Sequence, residues 1–368
     1  MAFNFLHPKH RRKVNKIILF GIIWFVFGIL YSLLEKGILG ELNHYPSTGN
    51  RYDFNTSFLF IGLSSFITGL IMGIIEILFL SNMFGKKSFG QKIFYKTIIY
   101  LMSICFFLIA ISAIMNSYRL NVTFFDTEVI QTMLLFFYNF AFWSIAIYMA
   151  TIIGITLFIS EISDNIGQGV LKNFFIGKYH TPLLEERIFM FLDMKSSTTI
   201  AEKLGHLKYY QLLNDYYADL TKAVLETSGD IYQYVGDEVV VSWLIDKGLN
   251  NSNCLNCFFL SKEIIKENSE SYFKKYNVVP GFKAGFHLGS VTTGEIGVIK
   301  KEIIFTGDVL NTTARIQGKC NEHRVDILIS EDLKIQLPSN YPYTYKEIGL
   351  CKLRGKNEEV KLLTVSEI

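Results

Sequence analysis

Residues 231–243 read IYQYVGDEVVVSW, two runs rich in Val, Ile and Tyr joined through Gly236, with Asp237 and Glu238 side by side at the joint. β-Branched and aromatic side chains favour strands, and Gly-Asp suits a tight turn, so the stretch predicts a hairpin with an acidic tip. Gly-Asp turns are common, and such a tip taken alone is only a solvated corner. Its chemistry depends on what the neighbouring segments bring to it.

Those segments alternate. RIFMFLD (187–193) predicts a strand, and TTIAEKLGHLKYYQLLNDYYADLTKAVLETSG (198–229) has the period of a helix. After the hairpin, 253–276 is helical in period, FKAGFHLG (282–289) and EIIFTGD (302–308) predict strands, VLNTTARIQGKC (309–320) a helix and VDILIS (325–330) a strand. The sum is a β-α-β-β-α-β core with additions, an α+β ferredoxin-like fold.

The other half of the chain is of a different kind. Of 368 residues half are hydrophobic and the mean hydropathy is +0.28, too apolar for an ordinary soluble protein. The excess lies in four stretches long enough to cross a bilayer as helices: Ile17 to Leu34, Ser57 to Leu80, Thr97 to Met115 and Met133 to Ile159. Lys9, Arg11, Arg12, Lys13 and Lys16 precede the first, and Lys86, Lys87, Lys92 and Lys96 lie between the second and third. Basic loops stay inside, so the N-terminus and the C-terminal half are expected in the cytoplasm. The expected organisation is a four-span α-helical membrane domain (1–160), a connector (161–186) with a helical piece at Val170 to Phe175, and a cytosolic domain (187–368). Glu76 falls near the end of the second span, where it marks either a paired site or a side chain snorkelling to the interface. The aromatic cluster Phe136, Phe137, Tyr138, Phe140, Phe142 and Trp143 reads as packing or interfacial anchoring, or as a ligand cage.

A net charge of +3 with no basic run interleaved with aromatics argues against nucleic acid as a partner. Cys254 and Cys257 form one C-x-x-C without the second pair that a zinc site needs, and Cys320 with His323 lacks further ligands, so reduced thiols are expected.

In the predicted β-α-β-β unit, Asp193 ends the first strand and Asp237 tips the hairpin, positions that fall close together. Two carboxylates beside a helix N-terminus suit Mg2+ or Mn2+, hard cations that take oxygen ligands and share phosphate. Ser196, Ser197 and Thr198 open that helix, where capping and the binding of phosphate by free N–H groups use the same geometry and do not exclude each other. On the later helix Asn311 and Arg315 are four residues apart and share a face, as a solvated surface or as an amide and a guanidinium turned toward reacting phosphate.

In order along the chain, FLDMKSST (191–198), YVGDEVV (234–240), FKAGFHLGSVTTGEIG (282–297), GDVLNTTARI (307–316) and KLRGKNEEVKLLTV (352–365) resemble the motifs of the class III nucleotidyl cyclases, the adenylate and guanylate cyclase family. The resemblance covers about 187–365. It implies that Asp193 and Asp237, with the Met194 carbonyl, bind two Mg2+ or Mn2+ ions, that Asn311 positions the ribose, and that Arg315 stabilises the pentavalent phosphorus. It implies contacts from Lys283 and Arg354 to the triphosphate, Arg354 standing where Lys is more usual. It also implies a head-to-tail homodimer whose metal ligands and Asn/Arg pair come from opposite chains. Intramolecular attack of the ribose 3′-hydroxyl on the α-phosphorus of a nucleoside triphosphate, most simply ATP giving cyclic AMP, is the expected reaction.

The base-reading positions depart from the family. Adenine-selective members carry Lys and Asp or Thr, and guanine-selective members Glu and Cys, where this chain has Gln233 and Ile304. An amide can pair with a purine edge. Ile304 can only pack, and Thr306 would supply a hydroxyl if a bulge shifted its strand. Among rival readings, a diguanylate cyclase would show Gly-Gly-Asp/Glu-Glu-Phe where this chain has Val-Gly-Asp-Glu-Val. A catalytically dead nucleotide-binding module would have lost a metal or Arg position, and none is lost. A transporter with a regulatory domain would show inverted repeats or paired intramembrane charges.

Overall fold

The computed structural model describes residues 8–44, 51–85, 87–120, 122–123, 125–166, 168–338, 342–354 and 358–368. Lys86, Gly167 and the closing-hairpin tip 355–357 lie outside the described residues. The chain divides into two compact units, His10–Lys172 and Asn173–Ile368.

The first unit is helical: α1 (Pro8–Leu39), α2 (Phe54–Ile75) continued by a π-helical turn (Glu76–Leu80), a single turn α3 (Ser81–Met83), α4 (Phe89–Leu120), α5 (Thr127–Tyr138) and α6 (Phe140–Ile166). Four helical stretches are long and apolar enough to cross a membrane: His10–Leu39, Phe54–Leu80, Phe89–Ala110 and Phe142–Ile166. The fourth expected span therefore starts later than Met133, because the helix breaks at Asn139. The Asn139 carbonyl accepts from the Phe142 N–H at 3.1 Å, and the Trp143 indole N–H donates back to the Phe137 carbonyl at 3.0 Å, so end groups of both helices are satisfied across the break. Phe137 packs edge-on against Phe142 with ring centroids 4.6 Å apart, while Tyr138 and Phe140 face outward. These rings form a packing contact with two outward anchors; the Phe136 side chain lies outside those described.

Glu76 does not snorkel. It is 1% exposed, bonded by Lys96 Nζ at 2.5 Å and by the Tyr100 hydroxyl at 3.3 Å. Lys92 pairs with Glu161 at 2.7 Å and Lys16 with Asp164 at 2.6 Å, so acids and bases of α1, the π turn, α4 and α6 meet within this unit. Charges within candidate spans persist when paired in this way, so the absence of such pairs, expected from the sequence, does not hold.

Helix α7 (Gln168–Ile176), which covers the expected helical piece, crosses the boundary at Lys172, and the second unit continues with β1 (Leu183–Met194), α8 (Ser197–Leu204), α9 (His206–Glu226), β2 (Asp230–Val235), β3 (Glu238–Leu244), α10 (Ile245–Leu249), α11 (Asn253–Glu267), α12 (Ser269–Tyr276), β4 (Phe282–Ile296), β5 (Glu302–Thr306), α13 (Asp308–His323), β6 (Ile327–Ser330), α14 (Glu331–Gln336), β7 (Tyr343–Lys352) and β8 (Glu359–Glu367). The two long helical readings each break once, at Gly205 and at Asn268. One eight-stranded sheet runs β2-β3-β1-β4-β6-β8-β7, with β5 paired to β4. Only β4 and β6 are parallel among these pairs, as an α13 crossover requires. This is the α+β ferredoxin-like plan with added strands.

Alternation along β1 and β4 builds the two sides of the sheet. Ile188, Met190, Leu192, Ala284, Phe286 and Leu288 join the core under α9 and α11, with Leu212, Tyr216 and Phe258. On the other side Phe189 and Phe191 meet Val309 of α13. Gly285 faces α13, and a Cβ there would stand 2.6 Å from Gln317 Cα and closer still to its amide nitrogen. The helix backbone thus rests on the strand backbone. Cys254 and Cys257 are buried in the main core, and all five cysteines are free; His323 lies 3.7 Å from Cys351, and the Cys320 thiol points to the Ala284 carbonyl at 3.4 Å.

Gly285→Ala is expected to lower stability by about 1–3 kcal/mol, because backbone on both sides cannot yield to the added methyl. Urea unfolding of the variant against the parent reads this directly, and an unchanged midpoint would contradict the packing.

Candidate active site

β1 delivers Asp193 to the α13 side of the sheet, between the buried Leu192 and Met194, which point the other way. Directly across the ladder stand Glu238 of β3 and Lys283 of β4. Asp237 sits in the two-residue turn between β2 and β3, where Gly236 adopts φ +63°, the left-handed conformation that favours glycine. The hydroxyl of Tyr217 on α9 donates to the Gly236 carbonyl at 2.5 Å, and its ring lies 4.5 Å from that of Tyr234. The turn is therefore clamped to α9. Asp237 directly precedes Glu238, which stands opposite Asp193 on the ladder, so the two aspartates are neighbours. The hairpin tip and the end of β1 do meet, as the sequence suggested.

Two donors converge on one oxygen of Asp193. Lys283 Nζ lies 3.2 Å from Oδ2, and Gln317 Nε2 of α13 donates to the same oxygen at 3.1 Å. On α13 the buried residues Val309, Thr312, Thr313, Ile316, Gln317 and Cys320 form one stripe. At about 100° per residue Asn311 and Arg315 fall on the opposite side, exposed and half-buried respectively. The structure thus joins Asp193 and Asp237 to each other, and keeps Asn311 and Arg315 together on a face that turns away from them.

The remaining sequence candidates are placed as follows. Ser196 precedes α8 with φ +55° and makes no side-chain capping bond. Met194 is buried and the Lys195 N–H donates to the Gly281 carbonyl at 2.8 Å, closing the end of β1. Gln233 is exposed and follows a bulge that takes up Tyr232. Ile304 and Thr306 share one face of β5 by alternation, and the β4–β5 ladder is regular through both. The irregularity falls in β2 instead of β5. Thr306 spends its hydroxyl proton on the Thr292 carbonyl at 3.2 Å. Between Ile304 and Thr306, Phe305 packs against Tyr232 with the rings tilted and their centroids 4.7 Å apart, which brings β5 and the bulge before Gln233 into contact. Arg354 is exposed beside the closing hairpin.

Sequence reasoning missed Gln317 and Tyr217. Gln317 carried a faint signal, a polar residue on the apolar stripe of α13. Tyr217 carried none, since it is one of four tyrosines in the first part of α9, with Tyr209, Tyr210 and Tyr216.

Residues 183–365 match the family described as the adenylate and guanylate cyclase catalytic domain. Adenylate cyclase 2 of Rhizobium meliloti is 31% identical over 223 residues, covering 61% of this chain and 61% of its own length. The C-terminal half of this chain belongs to the class III nucleotidyl cyclase family. An adenylate cyclase of Anabaena cylindrica is 28% identical over 183 residues, 48% of this chain and 36% of that protein. The chain thus spans less than two thirds of the length of these relatives. The crystal structure of the adenylyl cyclase CyaB from P. aeruginosa aligns with 51% of this chain and 96% of its own at 19% identity and a TM-score of 0.43.

The cyclase domain gathers more negative than positive charge at this point. Partial burial and the neighbouring Asp237 carboxyl lift Asp193 above the ordinary carboxylate range, with Lys283 pulling the other way. Burial, then Asp193 and Asp237, push Glu238 up to about 7. Such repulsion is what a divalent cation relieves, and the donors are hard oxygens, so the residues fit Mg2+ or Mn2+. Among the described residues no third acidic, His or Cys side chain completes a metal-binding group.

A raised folded-state pKa means stability present below the unfolded value and lost as pH rises through the folded one. For Glu238 that loss runs from about 4.5 to about 7. The metal-free cyclase is therefore expected to melt higher at pH 6 than at pH 8, and Asp237→Asn, which removes one repelling charge, to gain about 0.5–2 kcal/mol at pH 8. Differential scanning fluorimetry in chelator checks both; a variant less stable than the parent would contradict the electrostatics.

Proposed function

We propose that this chain is a membrane-anchored adenylate cyclase that converts ATP to 3′,5′-cyclic AMP and pyrophosphate as a head-to-tail homodimer. The observation that carries the two-chain reading is the geometry of α13. Its Asn311 and Arg315 face away from the Asp193 that the same helix touches through Gln317. Those two side chains serve carboxylates on a second copy, and the second copy returns the arrangement.

Asp193, Asp237 and the Met194 carbonyl would hold two Mg2+ or Mn2+ ions, whose chemistry there is to acidify the ribose 3′-hydroxyl and offset phosphate charge. The protein's own groups do the positioning. Asn311 orients the ribose so that its 3′-oxygen lies in line with the α-phosphorus, and Arg315 spreads its fork over the phosphorus as charge builds. The 3′-oxygen forms its bond to phosphorus, the bond to the β-phosphate oxygen breaks, pyrophosphate departs and the hydroxyl proton passes to water. The uncapped start of α8, at Ser196, Ser197 and Thr198, offers N–H groups to phosphate. Lys283 and Arg354 supply positive charge for the triphosphate.

Base choice rests on Gln233, whose amide both donates and accepts and so matches the N6 and N1 edge of adenine; Ile304 packs beside it, and the Thr306 proton is already committed. The names of the two bacterial relatives support adenine. The four apolar helices anchor the chain, with the basic N-terminus and the cyclase domain on the cytoplasmic side by the positive-inside rule. The working partition is a membrane domain over 1–160, a connector over 161–186 and a catalytic domain over 187–368.

Purified protein incubated with Mn2+ and ATP, GTP, CTP or UTP, with products identified by mass, is expected to yield cyclic AMP. No cyclic product from any of the four would overturn the activity, and cyclic GMP as the main product would overturn the base assignment. Asp193→Asn and Arg315→Ala are each expected to lose at least about 100-fold in kcat. Co-expressed, the two chains recover about one quarter of the activity, since half the dimers hold one intact site; inactive mixtures would refute the two-chain site.

A further inference from the structure

We infer that Gln317 is the positioning residue for Asp193, so that α13 serves two active sites at once: its sheet-side amide works on Asp193 of its own chain, and its outer face works on nucleotide held by the other. This rests on the head-to-tail reading above. Gln317 is 7% exposed and lies among Val309, Ile316 and Cys320 on the buried stripe of α13. An amide there costs desolvation unless its hydrogen bonds are used. Its N–H group goes to Asp193 Oδ2 at 3.1 Å, the oxygen that Lys283 also approaches at 3.2 Å.

The two donors differ in what an arriving cation does to them. Lys283, buried at 9% exposure like Gln317, carries a charge that a divalent ion repels, so its contact with Asp193 weakens when the cation arrives. Gln317 is neutral, and its backbone is seated on Gly285. Its bond therefore persists when the charge of the site changes. The carboxyl torsion of an aspartate is broad, and tying Oδ2 from below fixes which oxygen Asp193 presents to the Asp237 side. Loss of the amide should loosen that presentation and weaken cation use, with little effect on nucleotide binding through Asn311.

The test uses the complementing pair of full-length chains, Asp193→Asn with Arg315→Ala, which has one intact site whose Asp193 comes from the Arg315→Ala chain. Gln317→Met, which keeps side-chain length and removes the donor, is placed in one chain or the other, and co-assembly is checked by size exclusion. In the Arg315→Ala chain it is expected to raise about tenfold both the Mn2+ concentration for half-maximal activity and the Mn2+ dissociation constant read by electron paramagnetic resonance without turnover, while the nucleotide KM stays within about twofold. In the Asp193→Asn chain it is expected to leave both Mn2+ constants unchanged. Gln317→Glu, which swaps the donor for an acceptor, should shift them from the same chain only. Equal shifts from both chains mean a merely structural role in α13 and overturn the inference, as does no shift from either. A parent pair inactive before Gln317 is touched overturns the two-chain reading instead.

Discussion

The backbone of Gln317 occupies the place where a side chain on Gly285 would be. Because β4 carries no Cβ at that point, α13 lies directly on the sheet, and three consequences follow from one contact. The amide of Gln317 reaches Asp193 at the end of the neighbouring strand. Val309, one end of the same stripe, packs over Phe189 and Phe191. Asn311 and Arg315 are left on the outer face, together and turned away. A helix seated higher would lose the first two relations and blur the third.

Much of this was legible in the sequence, for physical reasons. The strands β1, β3 and β4 read clearly because buried residues alternate along them, and the nearness of Asp193 to Asp237 follows from a hairpin placed beside the strand before it. Breaks inside helical stretches were not legible at Gly205, Asn268 or Asn139, because apolar period continues on both sides and only the backbone direction changes. Gln317 was hidden by the rule that polar residues on a helix face solvent. The bulge that would have brought Thr306 into register is absent from the regular β4–β5 ladder, and the irregularity at Tyr232 in β2, beside Phe305, is one that no local pattern encodes. Glu76 could be read as paired or as snorkelling, and the choice needed the partner Lys96 from another helix.

The helical unit obeys the same economy of charge. Lys16, Lys92 and Lys96 were read as an inside-loop signal, yet each is consumed by an acid: Asp164, Glu161 and Glu76 respectively. The same residues tie four helical elements together. Paired charges away from water depend on both partners, and removing one strands the other.

At the candidate active site the balance is left open on purpose. Asp193, Asp237 and Glu238 outnumber Lys283, and the excess raises Asp193 and Glu238 toward protonation. Such a site is poor for stability and good for cations, and the claim that it holds them is central. Counting Mn2+ by electron paramagnetic resonance in the presence of 3′-deoxy-ATP tests it most directly. Two ions per active site are predicted for the parent protein and at most one for Asp237→Asn. The same count in both would contradict the account.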